Sequence, residues 1–471
     1  MTDRFDVVVV GGGTAGCVVA ARLAEAGSRR VCLLEAGPDY GPLAGGRWPG
    51  EILDARALCF THDWGRGGED DRSLGARVLG GSGAHNACVL VQGTPADYDE
   101  WGPEWRYEVF SPYLRRAETA LRGAPANTDR PSPFHFAVLE AAQAAGLPLL
   151  SDPNDPAQPV GVAPFPANVV DGTRWNAALA YLDPVRDRLV VAGDTLVDRV
   201  LLDGGRATGV LTSDVRRVEG DVVVLAAGAY FSPAILLRSG VGPEAELRRL
   251  GIEPAAALPV GETLLDHCGV DVAWEPSETL TAALARHERE HGVFEAHVLL
   301  KLASSACPPG SFDLHLLPWV TPQPQDGRYG IAFPIFHVKP ASAGRLRLRS
   351  LDPSELPLVE RGFLTREEDL MPLLEGIERA RTLAATPPLR DMLGAEIRPA
   401  DVDPARYVRE TIRNYFHPAG TCPIGPVVDP FGRVLGLEGL VVADASIMPT
   451  IPRANTNLTT AAIAERIAET L

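Results

Sequence analysis

The sequence lacks any run of about 18 or more apolar residues, so no transmembrane helix is expected. It is poor in positive charge: 44 Lys and Arg residues stand against 61 Asp and Glu, a net charge of −17. Because phosphate binding needs clustered Lys and Arg, this balance argues against nucleic acid as the main partner, although a local basic pocket stays open. Repeats and low-complexity tracts are also absent, and 45% hydrophobic with 22% charged residues is typical of a folded globular chain.

The seven cysteines are odd in number, scattered and without a C-x-x-C pair. This pattern favours reduced thiols over a disulfide framework. The opening MTDRFDVVVV contains only four consecutive valines before a glycine loop, so it does not fit a signal peptide. These features predict a cytoplasmic protein, and 471 residues suffice for two or three domain-sized units.

The first 36 residues predict a βαβ unit. Residues 7–10 are four valines, as expected for a parallel strand that is buried on both faces. A glycine-rich turn at 11–16 follows, and apolar residues then recur at helical spacing over 14–26 until Gly27. A second apolar strand at 31–34 completes the unit.

The turn of this unit carries the pattern G-x-G-x-x-G at Gly11, Gly13 and Gly16. Gly11 permits the tight turn, Gly13 lets a pyrophosphate approach the backbone, and Gly16 lets the helix pack closely on the sheet. Glu35 lies 19 residues after Gly16 at a strand end, where a carboxylate can bind the hydroxyls of an adenosine ribose and disfavours the 2′-phosphate of NADP. The unit predicts dinucleotide binding, without separating FAD from NAD.

Further along the chain, the pattern indicates other elements. Residues 37–135 are rich in Gly and Pro and predict loops and short helices. Alternating or apolar segments predict strands at 189–191, 197–202, 207–211, 222–225, 344–350 and 440–443. Helical spacing predicts helices at 366–386 and from about Asn457 to Leu471.

Five later segments separate FAD from NAD by resemblance. They read RVLGGSGAHN at 77–86, GAYFSP at 228–233 running on to SGVGP at 239–243, VGETLLDH at 260–267, HPAGTC at 417–422 and VADASIMP at 442–449. In this order they resemble the motifs of the glucose–methanol–choline (GMC) flavoprotein oxidoreductases, with Thr263 in place of the usual Asn. The chain is short for that family, which implies trimmed loops over the active site.

The resemblance implies an α/β fold. It consists of a Rossmann-like FAD-binding domain of the p-hydroxybenzoate-hydroxylase type and an inserted α+β substrate domain that contains an antiparallel sheet. The FAD-binding domain is expected at 1–130, 183–266 and 414–471, and the substrate domain at 131–182 and 267–413.

The resemblance also implies where FAD binds. The loop at 80–82 would lie along the pyrophosphate and the flavin edge, and Val197 lies in the strand that offers backbone amides to adenine. Asp444 and Ala445 would lie near the ribityl chain and the pyrophosphate, and the last helix would direct its N-terminus at the flavin pyrimidine ring, where its dipole stabilises negative charge. The expected cofactor-binding residues are Gly11, Gly13, Thr14, Ala15, Gly16, Glu35, Gly80, Gly81, Ser82, His85, Asn86, Val197, Asp444 and Ala445.

The expected reaction is FAD-dependent oxidation of an alcohol to a carbonyl. His417 stands at the family's catalytic histidine and would take the hydroxyl proton, while flavin N5 accepts the hydride. Asn455 fits the second catalytic position, where an amide can bond to the substrate oxygen. Asn457, two residues on, is predicted to cap the last helix.

His287, Glu288 and His291 match the zinc motif H-E-x-x-H, and His297 follows six residues later. The longer zinc pattern wants Gly three residues after His291, where Phe294 stands instead. The intervening charges indicate an exposed helical face, so no metal site is predicted.

His85 raises the question of covalent FAD. Its segment is similar to the choline oxidase branch, in which a histidine at this position is bonded to the flavin 8α-methyl group. A histidine that only packs beside the flavin stays open as well.

Two alternatives to a general alcohol oxidase or dehydrogenase remain. One is a flavin dehydrogenase of the mycofactocin-associated branch, which reoxidises a reduced peptide-derived cofactor and passes electrons to a carrier. The other is a FAD-binding lyase similar to hydroxynitrile lyase, or a non-catalytic FAD-binding scaffold. The sequence does not identify the alcohol, the electron acceptor (oxygen or a carrier) or the oligomeric state.

Overall fold

A computed structural model describes residues 4–67, 72–125, 131–323 and 328–471. Its architecture is built on two large sheets, each with its own hydrophobic core. The mixed α/β class and the antiparallel second sheet predicted from the sequence are confirmed. Within the described residues, no helix is long and apolar enough to cross a membrane.

The first sheet has seven strands. Five of them are parallel to one another. The other two, Arg206–Thr212 and Val197–Asp203, continue the sheet by antiparallel pairing. In spatial order the strands are Val190–Ala192, Val31–Leu34, Arg4–Val10, Arg217–Leu225, Arg206–Thr212 and Val197–Asp203, with Leu440–Val442 paired to Arg217–Leu225. The valines at 7–10 are at most 3% exposed, because both faces of this sheet are covered.

The register of this sheet gathers distant segments at one edge. Val10 pairs with Leu225, and Leu225 pairs with Val442, all in parallel strands. The residues that follow these strands, at 11, 226 and 443, therefore emerge side by side. The first of them begins the glycine turn, which leads into the helix Thr14–Ala26 at the predicted bounds.

The second sheet is antiparallel throughout. Its strands are, in spatial order, Leu393–Arg398, Cys268–Pro276, Arg328–His337, Leu314–Leu316, Val298–Leu302 and Gly161–Pro164, with Trp319–Gln323 and Arg413–Asn414 paired at its margins. Helices Pro133–Ala144, Glu278–His291, Leu370–Ala384 and Pro404–Thr411 contribute to the core on one face.

The central strand Arg328–His337 shows how this sheet divides its two faces. Ile331, Phe333 and Ile335 belong to the core under the helices, whereas the alternating Pro334 and Phe336 line a large cavity on the opposite face. This is the period of two expected of a strand with two different environments. The second sheet therefore forms one wall of the cavity.

The remaining elements include seven α-helices and five pairs of short strands in the described part of the chain, and the helix Tyr107–Ala120 is longer than the short helices predicted for 37–135. Helices lie at Gly50–Leu53, Pro95–Asp99, Tyr107–Ala120, Gly228–Arg238, Glu244–Arg249, Leu389–Met392 and Thr456–Ala468. Pairs of short strands are Arg66–Gly67 with Arg72–Ser73, Ala124–Pro125 with Pro166–Ala167, Val169–Val170 with Thr173–Arg174, Val241–Gly242 with Ala256–Ala257, and Arg345–Arg347 with Leu358–Glu360. The predicted strand at 344–350 is thus shorter, and the predicted helix at 366–386 is the helix Leu370–Ala384.

The five predicted domain segments stay a prediction. Leu182, Leu346 and Val359 lie in segments assigned to the substrate domain, yet all three pack in the core of the first sheet. These three side chains therefore belong to the core of the first sheet, although the neighbouring parts of their segments lead to the second sheet.

Candidate active site

A cavity of about 660 Å³ lies between the loop edge of the first sheet and the open face of the second. Its size falls in the range of pockets that bind cofactors and small substrates. Among the residues predicted to form the site, it is lined by Gly11, Gly13, Thr14, Ala15, Glu35, Gly81, Ser82, His85, Asn86, Val197, His417, Asp444, Ala445 and Asn455. Gly16 and Gly80 lie outside this lining.

Gly16 and Gly80 have structural positions behind the cavity. A Cβ on Gly16 would lie 1.8 Å from the carbonyl oxygen of Gly11, so the helix can approach the strand only with glycine there. The Gly80 amide donates a hydrogen bond of 2.7 Å to the carbonyl oxygen of Gly12. This bond ties the second glycine loop to the first.

The two glycine loops touch each other without side chains. A Cβ on Gly81 would lie 2.6 Å from the Cα of Gly13, and Gly81 has a left-handed φ of +56°. A Cβ on Gly83 would lie 2.9 Å from the hydroxyl of Thr14. The loops therefore form a floor of closely packed backbone without side chains, which suits a pyrophosphate.

Glu35 is buried at the end of the strand Val31–Leu34. Its two carboxylate oxygens accept hydrogen bonds of 2.7 Å from the amides of Gly12 and Gly37. Burial raises its pKa, against the opposing effect of these two amides. Each oxygen keeps a second lone pair, so both ribose hydroxyls and the local turns can be bound by one carboxylate.

The Asp444 carboxylate is hydrogen-bonded to two segments that border the cavity. One carboxylate oxygen accepts hydrogen bonds from the amide of Gly228 at 2.8 Å and the hydroxyl of Ser232 at 2.6 Å. The other oxygen accepts from the amide and hydroxyl of Ser446. The carboxylate thus ties the start of the helix Gly228–Arg238 to the turn after the strand Leu440–Val442, where both border the cavity.

Three helix N-termini border the cavity: those of Thr14–Ala26, Gly228–Arg238 and Thr456–Ala468. Helix N-termini carry free N–H groups and a partial positive charge, which favours phosphate or another anion. At the third helix the predicted cap is wrong. Asn455 occupies the cap position, and Asn457 lies inside the first turn, where its side-chain oxygen accepts a hydrogen bond of 2.7 Å from Thr14.

These features fit FAD. The glycine floor would hold the pyrophosphate, Glu35 the ribose, and the segment at 195–197, which also lines the cavity, the adenine. The buried His85 Nε2 and Asn455 Oδ1 have no hydrogen-bond partner in the part of the chain that the structure describes. Buried polar atoms are rarely left unpaired in a folded protein, so a bound molecule between these residues would satisfy them.

A chain of hydrogen bonds defines the opposite end of the cavity. His267 Nε2 lies 3.1 Å from the carbonyl oxygen of Pro452, and His267 Nδ1 lies 2.9 Å from His417 Nδ1. His417 Nε2 lies 3.2 Å from the side-chain nitrogen of Asn455. All three side chains are buried, and the structure brings together the two residues, His417 and Asn455, that the sequence analysis selected.

The carbonyl oxygen of Pro452, at the start of this series of hydrogen bonds, determines which nitrogen of each histidine carries the proton. A carbonyl only accepts, so His267 Nε2 donates, and neutral His267 then accepts at Nδ1. His417 Nδ1 must donate to it, which leaves a lone pair on His417 Nε2. Asn455 donates its N–H to that lone pair, so the orientation of its amide follows from the same network.

Burial keeps both histidines neutral. It lowers the pKa of His417 to about 3, and it lowers the pKa of His267 well below the usual value, with the neighbouring His417 adding to the shift. The carboxylate of Asp266 accepts a hydrogen bond of 2.9 Å from the His417 amide, and burial raises the pKa of Asp266 to about 6. A neutral imidazole with an available lone pair can accept a proton.

Phe416 precedes His417 with a left-handed φ of +62°. Such a backbone conformation is uncommon for a non-glycine residue and is found at functional sites. It turns the chain so that the rings of Tyr415 and His417 lie 4.3 Å apart between centroids. Tyr415 also stacks on Phe336 at 3.6 Å, which anchors the turn to the second sheet.

The H-E-x-x-H segment lies on the helix Glu278–His291, whose buried residues are Leu280 and Leu284. Glu288 and His291 are exposed, as predicted for a solvated face. His297 lies apart from this helix, buried against His135 and Phe294. Across the described ranges, no group of three or more His, Cys, Asp or Glu side chains is arranged to hold a metal ion.

Sequence reasoning missed the role of His267. The segment VGETLLDH, which contains Asp266 and His267, was singled out only as part of a resemblance. A pair of adjacent ionisable residues inside an apolar segment was the available signal, because such groups are seldom buried without a partner. The partners of His267, which are His417 and Pro452, lie 150 and 185 residues away in the sequence.

The chain is similar to known proteins of one family. The GMC oxidoreductase family matches the chain over residues 5–269 and 340–464. The chain is 33% identical to the mitochondrial choline dehydrogenase of Homo sapiens over 534 aligned positions, with 99% of this chain and 89% of the relative covered. It is 31% identical to the oxygen-dependent choline dehydrogenase of Brucella anthropi, with 96% and 92% covered.

Solved structures show the same fold. Pyridoxine 4-oxidase from Mesorbium loti is 26% identical, with a TM-score of 0.85 over 99% of this chain and 98% of that one. A formate oxidase, 24% identical, matches with a TM-score of 0.86 over the same shares. Because the family match covers more than half of the sequence and the cavity fits FAD, the chain belongs to the GMC oxidoreductase family, whose members use FAD to oxidise alcohols.

Proposed function

We propose that this chain oxidises a small-molecule alcohol to a carbonyl with His417 as the base. The observation that supports this most directly is the hydrogen-bond chain from the Pro452 carbonyl through His267 to His417. It leaves the lone pair of a buried, neutral imidazole at the cavity, beside the amide of Asn455. Alcohol oxidation needs such a group, because the hydroxyl proton must leave before or with the hydride.

In the proposed reaction, the substrate hydroxyl inserts between His417 and Asn455. It donates its hydrogen to His417 Nε2, and Asn455 turns its N–H from the imidazole to the substrate oxygen. The imidazole takes the proton as the carbinol carbon loses hydride, and the positive charge that forms is stabilised by the Nδ1 bond to His267. When bound, FAD supplies at N5 the acceptor for that hydride.

The residues proposed to hold FAD follow from the cavity. Gly11, Gly13 and Gly81 contribute the backbone floor, and Glu35 and Val197 contribute the adenosine end. Ser82, Asn86 and the N-terminus of the helix Thr456–Ala468 also line the cavity and would border the flavin. The dipole of that helix would favour the negative charge that develops on the flavin pyrimidine side.

His267 is proposed to position His417, and replacing it tests this. His267→Ala should slow flavin reduction by about 10- to 100-fold, because one charge-stabilising hydrogen bond is lost. His267→Asn keeps an oxygen that can accept from His417 Nδ1 and should recover part of the rate. Equal rates for both variants, or an unchanged pH profile of flavin reduction in His267→Ala, would contradict a positioning role.

His85 is proposed to contact the flavin, with a covalent bond to the 8α-methyl carbon as the stronger form of the proposal. That bond would replace a C–H bond of the methyl group, with the proton released and two electrons passed to the electron acceptor, oxygen or a carrier. Burial lowers its pKa to about 4, so the imidazole is a neutral nucleophile, and its Nε2 has no partner among the described residues. After acid precipitation the yellow colour should remain in the pellet, and it should move to the supernatant for His85→Ala. Colour released fully from the wild-type protein would leave only the packing role.

Anaerobic addition of alcohols, followed by flavin absorbance, tests the proposed function. Bleaching by an alcohol is expected. A flavin that stays oxidised with every alcohol while the protein cleaves a cyanohydrin would indicate the lyase alternative, and one inert to both would indicate a scaffold. Bleaching only by a reduced peptide-derived cofactor would indicate the mycofactocin-associated alternative, and stopped-flow reoxidation by oxygen then separates an oxidase from a dehydrogenase.

A further inference from the structure

A continuous wall of stacked side chains runs from the catalytic histidine to an arginine. Tyr415 lies against His417, Phe336 stacks flat on Tyr415 at 3.6 Å, and the Arg413 guanidinium lies 4.8 Å from the Phe336 ring centre. All four line the same cavity. A molecule that lies along this wall with its alcohol group at His417 therefore has its other end toward Arg413.

Arg413 keeps hydrogen-bond donors for such a molecule. Its Nε donates to one carboxylate oxygen of Asp271 at 3.2 Å, and Nη2 donates to the other. Its Nη1 donates to the carbonyl oxygen of Asn414 at 3.3 Å. A guanidinium has five N–H donors, so two of them remain.

The carboxylates on this wall are already engaged. Both oxygens of Asp271 are bound by Arg413. Glu295 accepts a hydrogen bond of 3.0 Å from the amide of Leu58, and burial raises its pKa. The other charged group contributed by the second sheet is the exposed Arg398 at the rim. The wall thus offers spare cationic donors at Arg413, and the Asp271 carboxylate beside it is already paired with that cation.

We infer that Arg413 is a specificity-determining residue that selects alcohols carrying a carboxylate about one aromatic ring from the carbinol. A guanidinium with spare N–H groups recognises a carboxylate by charge-assisted hydrogen bonds. A quaternary ammonium alcohol, which the names of the choline dehydrogenase relatives specify, would meet Arg413 and Arg398 instead of a free acid. The inference rests on the proposed function for the position of the alcohol group.

Three alcohols that differ only in charge test the selection. They are 4-(hydroxymethyl)benzoate, its uncharged amide 4-(hydroxymethyl)benzamide, and the cation [4-(hydroxymethyl)phenyl]trimethylammonium. The rate constant of anaerobic flavin reduction per unit alcohol concentration should be about 10- to 100-fold higher for the anion than for the amide, the worth of charge-assisted hydrogen bonds, and lowest for the cation. Equal rates, or a preference for the cation, would overturn the inference and leave the proposed function standing.

A binding measurement separates the inference from the proposed function. The holoenzyme should bind 4-methylbenzoate, which has no alcohol to oxidise, more tightly than 4-methylbenzamide in titration calorimetry. Such binding, together with a flavin that stays oxidised with every alcohol tried, would support the anion site and contradict the proposed function. Oxidation of the alcohols without preference for 4-methylbenzoate would contradict the anion site alone.

Two variants that should change the preference for the anion in opposite directions complete the test. Arg413→Gln should remove most of the preference for the anion, and Asp271→Asn should raise it, because that change releases the guanidinium donors and removes a repelling charge. Arg409→Gln is the matched control: Arg409 is an exposed residue that pairs with Glu367 outside the cavity lining, and its loss changes the net charge equally. If Arg413→Gln does not fold, Asp271→Asn decides, since an unchanged or reduced preference in that variant would overturn the inference.

Discussion

His417→Ala should retain FAD and reduce it about 10²–10⁴-fold more slowly than the wild-type protein, the usual contribution of a positioned general base. The side chain is buried and neutral, and its Nε2 lone pair is directed at the cavity by the bond to His267. The measurement is anaerobic stopped-flow reduction with one alcohol. Asn455→Ala should slow the same step less, because it removes a hydrogen bond rather than the proton acceptor.

The control for this prediction is His291→Ala. His291 is exposed on the helix Glu278–His291, away from the cavity, so its loss should leave both FAD content and the reduction rate unchanged. A His417→Ala protein that holds FAD and is reduced at the wild-type rate would remove His417 from the chemistry.

Gly81→Ala should weaken FAD binding by about 10- to 100-fold, because the new methyl group would lie 2.6 Å from the Cα of Gly13. Overpacking of this kind costs about 1–3 kcal/mol, and each 1.4 kcal/mol is a factor of ten in affinity. The methyl group would also occupy the floor on which the pyrophosphate is proposed to lie. FAD content after gel filtration and the dissociation constant of the reconstituted protein measure the effect.

Gly46→Ala is the matched control. Gly46 has a similar left-handed φ of +65°, but nothing lies within 4 Å of a Cβ placed there. Its replacement should therefore carry only the backbone cost of about 1–2 kcal/mol in stability, without loss of FAD. Equal FAD binding in Gly81→Ala and Gly46→Ala would show that the contact of the two loops does not form the cofactor site.

Local patterns were sufficient to predict the first βαβ unit. The run of valines at 7–10, the glycine turn and Gly27 follow one another within 21 residues, and the left-handed φ angles of Gly11 and Gly27 are local features that glycine permits. The pattern also indicated the exposed helix around His291. In each case, period and turn chemistry act over a short range, which a single sequence displays directly.

Contacts between residues far apart in the sequence could not be predicted from such short-range patterns. The bond from His267 to His417 depends on the register of the second sheet, and the stack from Arg413 to His417 depends on a left-handed turn at Phe416. The cap of the last helix was wrong for the same reason: Asn457 is bound by Thr14, from the other end of the chain, so a tertiary contact replaced the local one. A single sequence can indicate that such a residue needs a partner, but it does not show which distant residue the partner is.

The pH dependence of anaerobic flavin reduction in wild type and His417→Ala tests most directly whether neutral His417 takes the hydroxyl proton. Burial lowers the pKa of His417 to about 3, so the reactive neutral form persists to low pH and is lost only as pH falls through that lowered pKa. We expect the second-order rate constant to be flat from about pH 8 to about pH 5 and to decline only below it. In His417→Ala it should be low, with no acid limb. An acid limb centred at or above about pH 6.5, the ordinary histidine pKa, or one that survives in His417→Ala, would contradict the assignment of His417 as the base.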